Sequence, residues 1–579
     1  MSNSLKNVDI DNRFAIILVI AIGILAMLPA YYWGIPAGAD LDNHFRFVMP
    51  FYDEIRAGNF VPGWLAESNN GFGDARFRFY PPVLYYLLSV ARWVTGEWYF
   101  ATLIVFTLFS IVGALGVYLW ARLCLSVYTS LLAALLFAFV PYHLTQFYQA
   151  SLLAEFAATA LLPFAFMFVE RLAASKGGNL YDLLFNVAGL GVSFALLVTA
   201  HVPTTVIGSL SLGVFALLSI NWKTNKKALV FSALGVGLGL VLSSWFWVKM
   251  LGELSWIQGE GIVPSPYYDY HNNFLFSPFS APSRNTWFGG FVAVLTIGIF
   301  LPSLIVLRPL FRRGAGENLG GKYLSGDVDR SKRQLRSAVI IAFVSFLMTT
   351  DLSRPVWAIV PKLRDIQFPY RWLGIMSILI CPIIALSLQI WRRRIRQKGI
   401  QAFHLPIFLA FAITLFITAR ELIVYSDYLT RNEFAARLEE IHGGRSFNEW
   451  LPPGANELKD LQPLSGQIDP GDRHVISATW QTHKRRFVLA EGDTTQIRLR
   501  SYYYPLWHAT VLGTRQSTPT SQALDGTLLV AVPRESCEIE VTFSEPPRTA
   551  ISFIISALGW TFAFVLLLFE FLKREARRS

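Results

Sequence analysis

The sequence predicts a polytopic α-helical membrane protein of about twelve spans, with a β-sandwich-like domain set into its C-terminal part. Three observations carry that expectation. Of 579 residues, 53% are hydrophobic and only 15% charged, whereas a soluble domain averages about a quarter charged. Mean hydropathy is +0.43. Apolar runs of about 20 residues, the length that crosses about 30 Å of hydrocarbon, recur along the chain.

The runs fall at 14–33, 98–121, 127–142, 152–170, 182–200, 203–222, 227–249, 287–308, 336–350, 370–391, 402–421 and 549–572. No small-residue cleavage site follows a short apolar core in the first run, which therefore reads as a retained signal anchor. With a cytoplasmic N-terminus, twelve crossings place every short basic segment on one side. These are Arg122; Arg171 with Lys176; Lys223, Lys226 and Lys227; Arg308 to Arg336; Arg392 to Lys398; and Lys573 to Arg578. The positive-inside bias thus predicts a multi-pass protein of the cytoplasmic membrane with both termini cytoplasmic. Counting 81–94 (PPVLYYLLSVARWV) as a crossing would invert two of those loops, so it is expected as an interfacial or re-entrant helix. The net charge of +11 then reflects topology, not nucleic-acid binding. Cys124, Cys381 and Cys537 show no metal-ligand spacing, and no disulfide is expected.

The membrane module is read as 1–421. It includes external loops at 34–97 and 250–286 and a cytoplasmic loop at 309–335, whose glycines lack phosphate-loop spacing. Residues 422–548 have ordinary polarity and period-two stretches (RFVLAEG, TQIRLRSYYY, GTLLVAV, CEIEVTF), which read as antiparallel strands outside the cell. Residues 549–579 supply the last helix and a basic tail.

The first external loop carries the chemistry. Asp40 and Asp42, in GADLDNHFRF, lie just past the first apolar run. Carboxylates so close to hydrocarbon are functional candidates. Acids deep in the spans are few (Glu155, Glu170 and Glu570, all near ends), which disfavours an ion or proton pathway. Arg46, Arg76, Arg78, Lys249, Arg354, Lys362, Arg364 and Arg371 are external against the charge bias. Guanidinium forks match phosphate oxygens, and lysine adds a point charge. Aromatics such as Phe79, Tyr80, Phe368 and Tyr370 interleave with them, as in an interfacial belt or a sugar-stacking surface. Taken singly, such arginines more often anchor to headgroups, and such rings more often form the belt. Together with the acidic pair they point to a phosphate-bearing lipid substrate.

Several stretches, in order, resemble a known family. They are GADLDNHFRF, AGNFVPGWLAESNNGFGDARFRFYPPVLYYL, YQASLLAEFAATALLPFAF, TAHVPTT, LRDIQFPYRWLG and NEWLPPG. They resemble prokaryotic membrane proteins named for a 6-pyruvoyl-tetrahydropterin synthase-related domain. RSYYYPLWHATVLG is similar to the tail of a bacterial family linked to lipoteichoic-acid glycosylation. These families are similar to the GT-C superfamily of membrane glycosyltransferases, which use polyprenyl-phosphate donors and an acidic motif in the first external loop.

The resemblance implies roles for particular residues. Asp40 and His44 fill a D-x-x-x-H pattern, and Asp42 makes a DxD-like pair with Asp40. Glu155 fills the acidic position of LAEF, His201 the turn of TAHVPTT, and Arg371 the FPxR element. The chain departs from relatives at Lys249 and Met250, where an apolar residue and a Pro are usual.

The implied reaction moves a sugar from a polyprenyl-phosphate donor to a glycan or other envelope acceptor, with inversion. Asp40 is the expected base, and Asp42, His44 or Glu155 would orient it. Arg76, Arg78, Lys249 or Arg371 would balance the phosphate, with Tyr80 and His201 beside the substrate. A divalent cation such as Mg or Mn on Asp40 and Asp42 is a further expectation, since hard cations take oxygen ligands. A lipid-linked sugar flippase and a non-catalytic envelope scaffold are the alternatives. The β-rich region is expected to bind glycan or a partner, with Asp469, Asp472 and His474 in a solvated turn.

Overall fold

The computed structural model describes residues 11–175, 180–258, 266–279, 283–311, 323–398, 404–424, 426–444, 450–453, 455 and 466–576. The glycine-rich segment 314–322, parts of the loop 250–286, and Asn448 and Glu449 of NEWLPPG lie outside the described residues.

The first part of the chain forms α1 (Asn12–Trp33), α2 (Leu41–Arg56), α3 (Val83–Thr95), α4 (Trp98–Ala121), α5 (Val127–Phe139) and α6 (Pro141–Tyr148). Then follow α7 (Leu153–Ala174), α8 (Leu180–Val198), α9 (Val202–Ser219), α10 (Lys226–Leu242), α11 (Ser244–Glu253) and α12 (Arg284–Phe311). Among the described residues, eight helices are long and apolar enough to cross a membrane, or ten if each of two bent pairs is one span. The twelve segments read from the sequence also include 336–350 and 402–421. Residues 336–347 and 404–421 of these are helical, within Val328–Leu347 and His404–Val424, but those helices stand outside that count. The first of them opens on Asp329, Arg330, Lys332, Arg333 and Arg336, which leaves a short apolar remainder.

The bends have local causes. α5 and α6 meet at 41° where Pro141 begins α6 and Val140 is extended (ψ 140°), because proline disfavours a helical residue before it. α10 and α11 meet at 71° at the Ser243–Ser244 pair. α3 spans 13 residues, too short to cross, and stands as the expected short helix beside the first loop.

α7 and the helix Trp372–Lys398 occupy the centre of the bundle; 89% of each apolar window is buried. A helix apolar on every side has no solvent face to keep. Each delivers a site residue at its start: Glu155 from α7, and Arg371 just before Trp372.

The β-rich part is two antiparallel sheets. Its strands are β3 (Ile468–Asp469), β4 (Val475–Trp480), β5 (Lys484–Leu489), β6 (Gln496–Tyr502), β7 (Trp507–Val511), β8 (Gln516–Thr518), β9 (Thr520–Gln522), β10 (Thr527–Ala531) and β11 (Cys537–Phe543). β1 (Ile35–Pro36) and β2 (Tyr428–Leu429) pair elsewhere, in a ribbon of their own. The sheet orders are β3-β6-β10-β9 and β4-β5-β11-β7-β8. β11 alternates buried and half-buried residues along its whole length, the period of a strand with one face on a core. That core also takes Trp64, Phe72 and Phe79 from the first loop.

The sheets run from Ile468 to Phe543, a narrower range than 422–548. Residues 428–441 fold against the first loop instead. β2 pairs with β1, and a capping box (Thr430 with Glu433) starts the helix Arg431–Ile441. Phe434 of that helix packs edge-on against Phe45 of α2, with ring centres 5.0 Å apart.

Candidate active site

A cavity of about 570 Å³ opens between the first loop, the start of α9, the loop before Trp372 and Trp450. Asp40, His44, Tyr80, His201 and Arg371 all line it.

Asp40 precedes α2 as its N-cap. The Asp40 backbone N–H donates to Ala150 O (3.1 Å), and Gly38 N–H donates to Ser151 Oγ (3.0 Å). A side chain at Gly38 would fall 2.5 Å from Ser151 N, so only glycine permits this close approach. The α6–α7 turn therefore sets where the carboxylate points. Asn43 Nδ2 donates to Asp40 Oδ1 (3.4 Å). Burial raises the Asp40 carboxyl above the ordinary carboxylate range. Arg371 and the Asn43 amide oppose that shift, and Glu155 adds to it.

Arg371 is held from behind. Its Nε lies 3.2 Å from Glu155 Oε2, and its Nη1 donates to Ile366 O (2.7 Å). Glu155 also accepts from Tyr142 OH (2.6 Å) and Gln146 Nε2 (3.0 Å). It is 2% exposed and backs the cavity without lining it. His44 is held neutral, its imidazole pushed down to about 3 by burial, with Nδ1 2.8 Å from Tyr85 Oη. His201 caps α9, where its Nδ1 accepts from Thr204 N–H (3.4 Å).

The remaining sequence candidates point elsewhere. Asp42 is engaged by Arg437 of the helix Arg431–Ile441. Arg76 is fully buried in an ion pair with Asp74, donates to Arg46 O (3.1 Å), and lies over the Phe47 ring. Arg78 is fully buried and bound by Glu253 and Glu545. The neutralising partners that Coulomb's law demands of a buried guanidinium are thus internal for both arginines. Lys249 faces the Trp245 and Phe553 rings, at 5.7 and 5.3 Å, instead of the cavity. Asp469, Asp472 and His474 lie in and beside the turn before β4, far along the chain from the cavity lining.

Sequence reasoning missed Asn43, Gln367, Tyr267, Tyr268 and Trp450 as wall residues. The aromatic loop SPYYDY was a signal for the tyrosines. Gln367 adopts φ +65°, a conformation that non-glycine residues hold only under constraint, and such strain concentrates at functional sites.

Asp40 and Asp42, the expected metal pair, face different partners. Arg437 occupies the second carboxylate of the expected pair, and among the described residues no group of three or more His, Cys, Asp or Glu is placed to hold an ion.

A family model for the 6-pyruvoyl-tetrahydropterin synthase related domain, described as a membrane protein, matches residues 77–426. The chain belongs to that family. An uncharacterized protein of Lactococcus lactis subsp. cremoris (strain MG1363) is 23% identical over 264 residues, 45% of this chain and 42% of the relative. Three solved structures are also similar. Arabinofuranosyltransferase AftD from mycobacteria is 14% identical, with TM-score 0.44 over 74% of this chain and 27% of that one. Oligosaccharyltransferase AglB from Archaeoglobus fulgidus, in complex with an inhibitory peptide and a dolichol-phosphate, is 14% identical, with TM-score 0.46 over 73% of this chain and 57% of that one. ArnT from Cupriavidus metallidurans, bound to undecaprenyl phosphate, is 13% identical, with TM-score 0.38 over 71% of this chain and 77% of that one. The chain spans less than half of the curated relative it matches and about a quarter of AftD.

Proposed function

We propose that the protein is an inverting membrane glycosyltransferase, which moves a sugar from a polyprenyl-phosphate donor to an extracytoplasmic envelope acceptor. One observation carries the reading: a carboxylate with a raised pKa, Asp40, and a guanidinium, Arg371, line the same half-open cavity at the end of a membrane bundle.

The two groups divide the work. The acceptor oxygen attacks the anomeric carbon while Asp40 takes its proton, and the bond from that carbon to the phosphate oxygen breaks. The lipid phosphate leaves with the electron pair. Arg371 stabilises the charge that develops on it. Glu155 holds the guanidinium in place from behind, and neutral His44 and His201 add polar surface without competing charge. A single displacement inverts the configuration. Tyr267, Tyr268 and Trp450 offer ring faces on which a sugar can stack. The extracytoplasmic placement follows from the charge bias of the loops.

Asp40→Asn keeps the shape of the residue and removes the base. Transfer measured on reconstituted protein with a polyprenyl-phosphate sugar is expected to fall by about 10²–10⁴-fold, with membrane yield unchanged. Undiminished transfer by that variant would remove the reading. A flippase would instead move lipid-linked sugar across vesicles, with or without Asp40.

A further inference from the structure

A second cavity, of about 990 Å³, lies between the far end of α2, the SNNGFG turn of the first loop and the hairpin turn from β4 to β5. Among the described residues it shares no lining residue with the first. Among the described residues, its one large apolar side chain is Trp480; the rest of the wall is glycine, alanine or polar.

The polar groups are fixed before any ligand arrives. Glu54, 3% exposed, accepts from Asn59 Nδ2 (3.1 Å) and from Ala66 N–H (3.4 Å). Asn59 Nδ2 also lies 3.2 Å from His483 Nε2. Trp480 is braced in a different way. Buried Arg485 sits 4.3 Å from the Trp480 ring centre and 4.3 Å from that of Trp507, with Nε and Nη1 lacking hydrogen-bond partners. One indole face is therefore spent on the cation, and the ring keeps its orientation at the cavity wall.

This lining selects a ligand class. Among the described residues Arg500 is the one Lys or Arg in it, and Glu54 and Glu67 oppose its charge, so an anion is disfavoured. Arg500 is also engaged, through Nη2 with Asn70 O (3.0 Å) and over the Phe72 ring. An apolar ligand would leave the amides and carboxylates unsatisfied. A neutral polyol fits, with hydroxyls to Glu54, Asn59 and Gln481 and a ring face to Trp480. α2 also sets the spacing. Asp40 caps one end and Glu54 lies fourteen residues on, about 21 Å at 1.5 Å per residue. A single sugar cannot bridge that span, but a glycan chain can.

We infer that this second cavity is a binding subsite for a neutral, polymeric glycan, gripped at a distance from the reacting end. As an acceptor subsite it rests on the transferase reading; as a glycan site it does not.

The test is binding by the full chain in lipid nanodiscs, read by saturation-transfer difference NMR. The probes are linear neutral oligosaccharides of glucose, mannose and N-acetylglucosamine in graded lengths. Binding is expected to strengthen with length and to weaken about tenfold or more, a loss of about 1.4 kcal/mol, in both Trp480→Ala and Asn59→Ala. The two variants lie on different elements, so a folding defect in one leaves the other decisive. Asp40→Asn is expected to bind as the parent does. Absence of binding by the parent to every probe, or binding unchanged in both variants, overturns the subsite. Transfer surviving in Asp40→Asn overturns the transferase reading alone.

Discussion

At the scale of single residues, the site turns on the environment of Asp40. Its carboxyl is raised above its ordinary value of 3.8, so between those two values the folded chain binds a proton that the unfolded chain does not. Stability therefore falls as pH rises through that window, and the ionised carboxylate costs stability at neutral pH. Two results are expected. Transfer declines on the acid side at a higher pH than an ordinary carboxylate would give, measured as a pH–rate profile. Asp40→Asn melts above the parent at pH 7 and no differently at acid pH, measured by Tm. Asp42 behaves differently. Its pair with Arg437 is partly exposed, at 25% and 41%, and such pairs contribute about 0–1 kcal/mol. Asp42→Asn is expected to change Tm little and to keep transfer within a few-fold of the parent. Loss of transfer in that variant would return the role of base to the pair.

At the scale of elements, buried ion pairs hold the loop that carries the site. Arg78 joins the first loop to α11 through Glu253 and to the segment just before the last helix, Pro547–Ala576, through Glu545. Tyr504 OH donates to Glu253 Oε2 (2.7 Å) in the same cluster. Breaking a buried pair leaves an uncompensated charge and costs about 3–5 kcal/mol. Arg78→Met is expected to lower the Tm of the whole chain substantially, and Arg78→Met with Glu253→Met to restore part of the loss. A merely additive double variant would show that the pair contributes little. Arg76 makes the same point within one loop: as a phosphate ligand it would have to abandon Asp74 and the Arg46 carbonyl.

At the scale of the whole molecule, the β sandwich is part of the site's support. Trp64, Phe72 and Phe79 of the first loop lie in its core, and Trp64 packs 5.5 Å from Trp507 and 5.6 Å from Phe543. Each ring that loses this cover forfeits about 1.5–3 kcal/mol of burial. A chain lacking residues 466–543 is therefore expected to expose residues 57–80 to limited proteolysis and to lose transfer even though Asp40 and Arg371 remain. Intact protection of that loop would show that the bundle alone holds it.

Local pattern sufficed for much of this protein. Apolar length marked the spans, period-two alternation marked β5, β6, β10 and β11, and the oddity of acids at a membrane edge marked Asp40. Those signals are carried by neighbouring residues, so they survive in a string of letters. The neighbours of a charge are a different matter. Arg76, Arg78 and Arg371 look alike in sequence, each a guanidinium beside aromatic residues. Only the folded chain shows that Asp74 takes the first, that Glu253 and Glu545, 175 and 467 residues away, take the second, and that Arg371, paired with Glu155 behind it, also lines a cavity. The same holds for Asp40 and Asp42, two residues apart, one turned to the cavity and the other to Arg437, 395 residues further on. The sequence by itself determined most of the long apolar helices and the region in which strands pair. Tertiary structure alone decided which charges are paired away inside the fold and which line a cavity, because electrostatic partnership depends on distance in space and not along the chain.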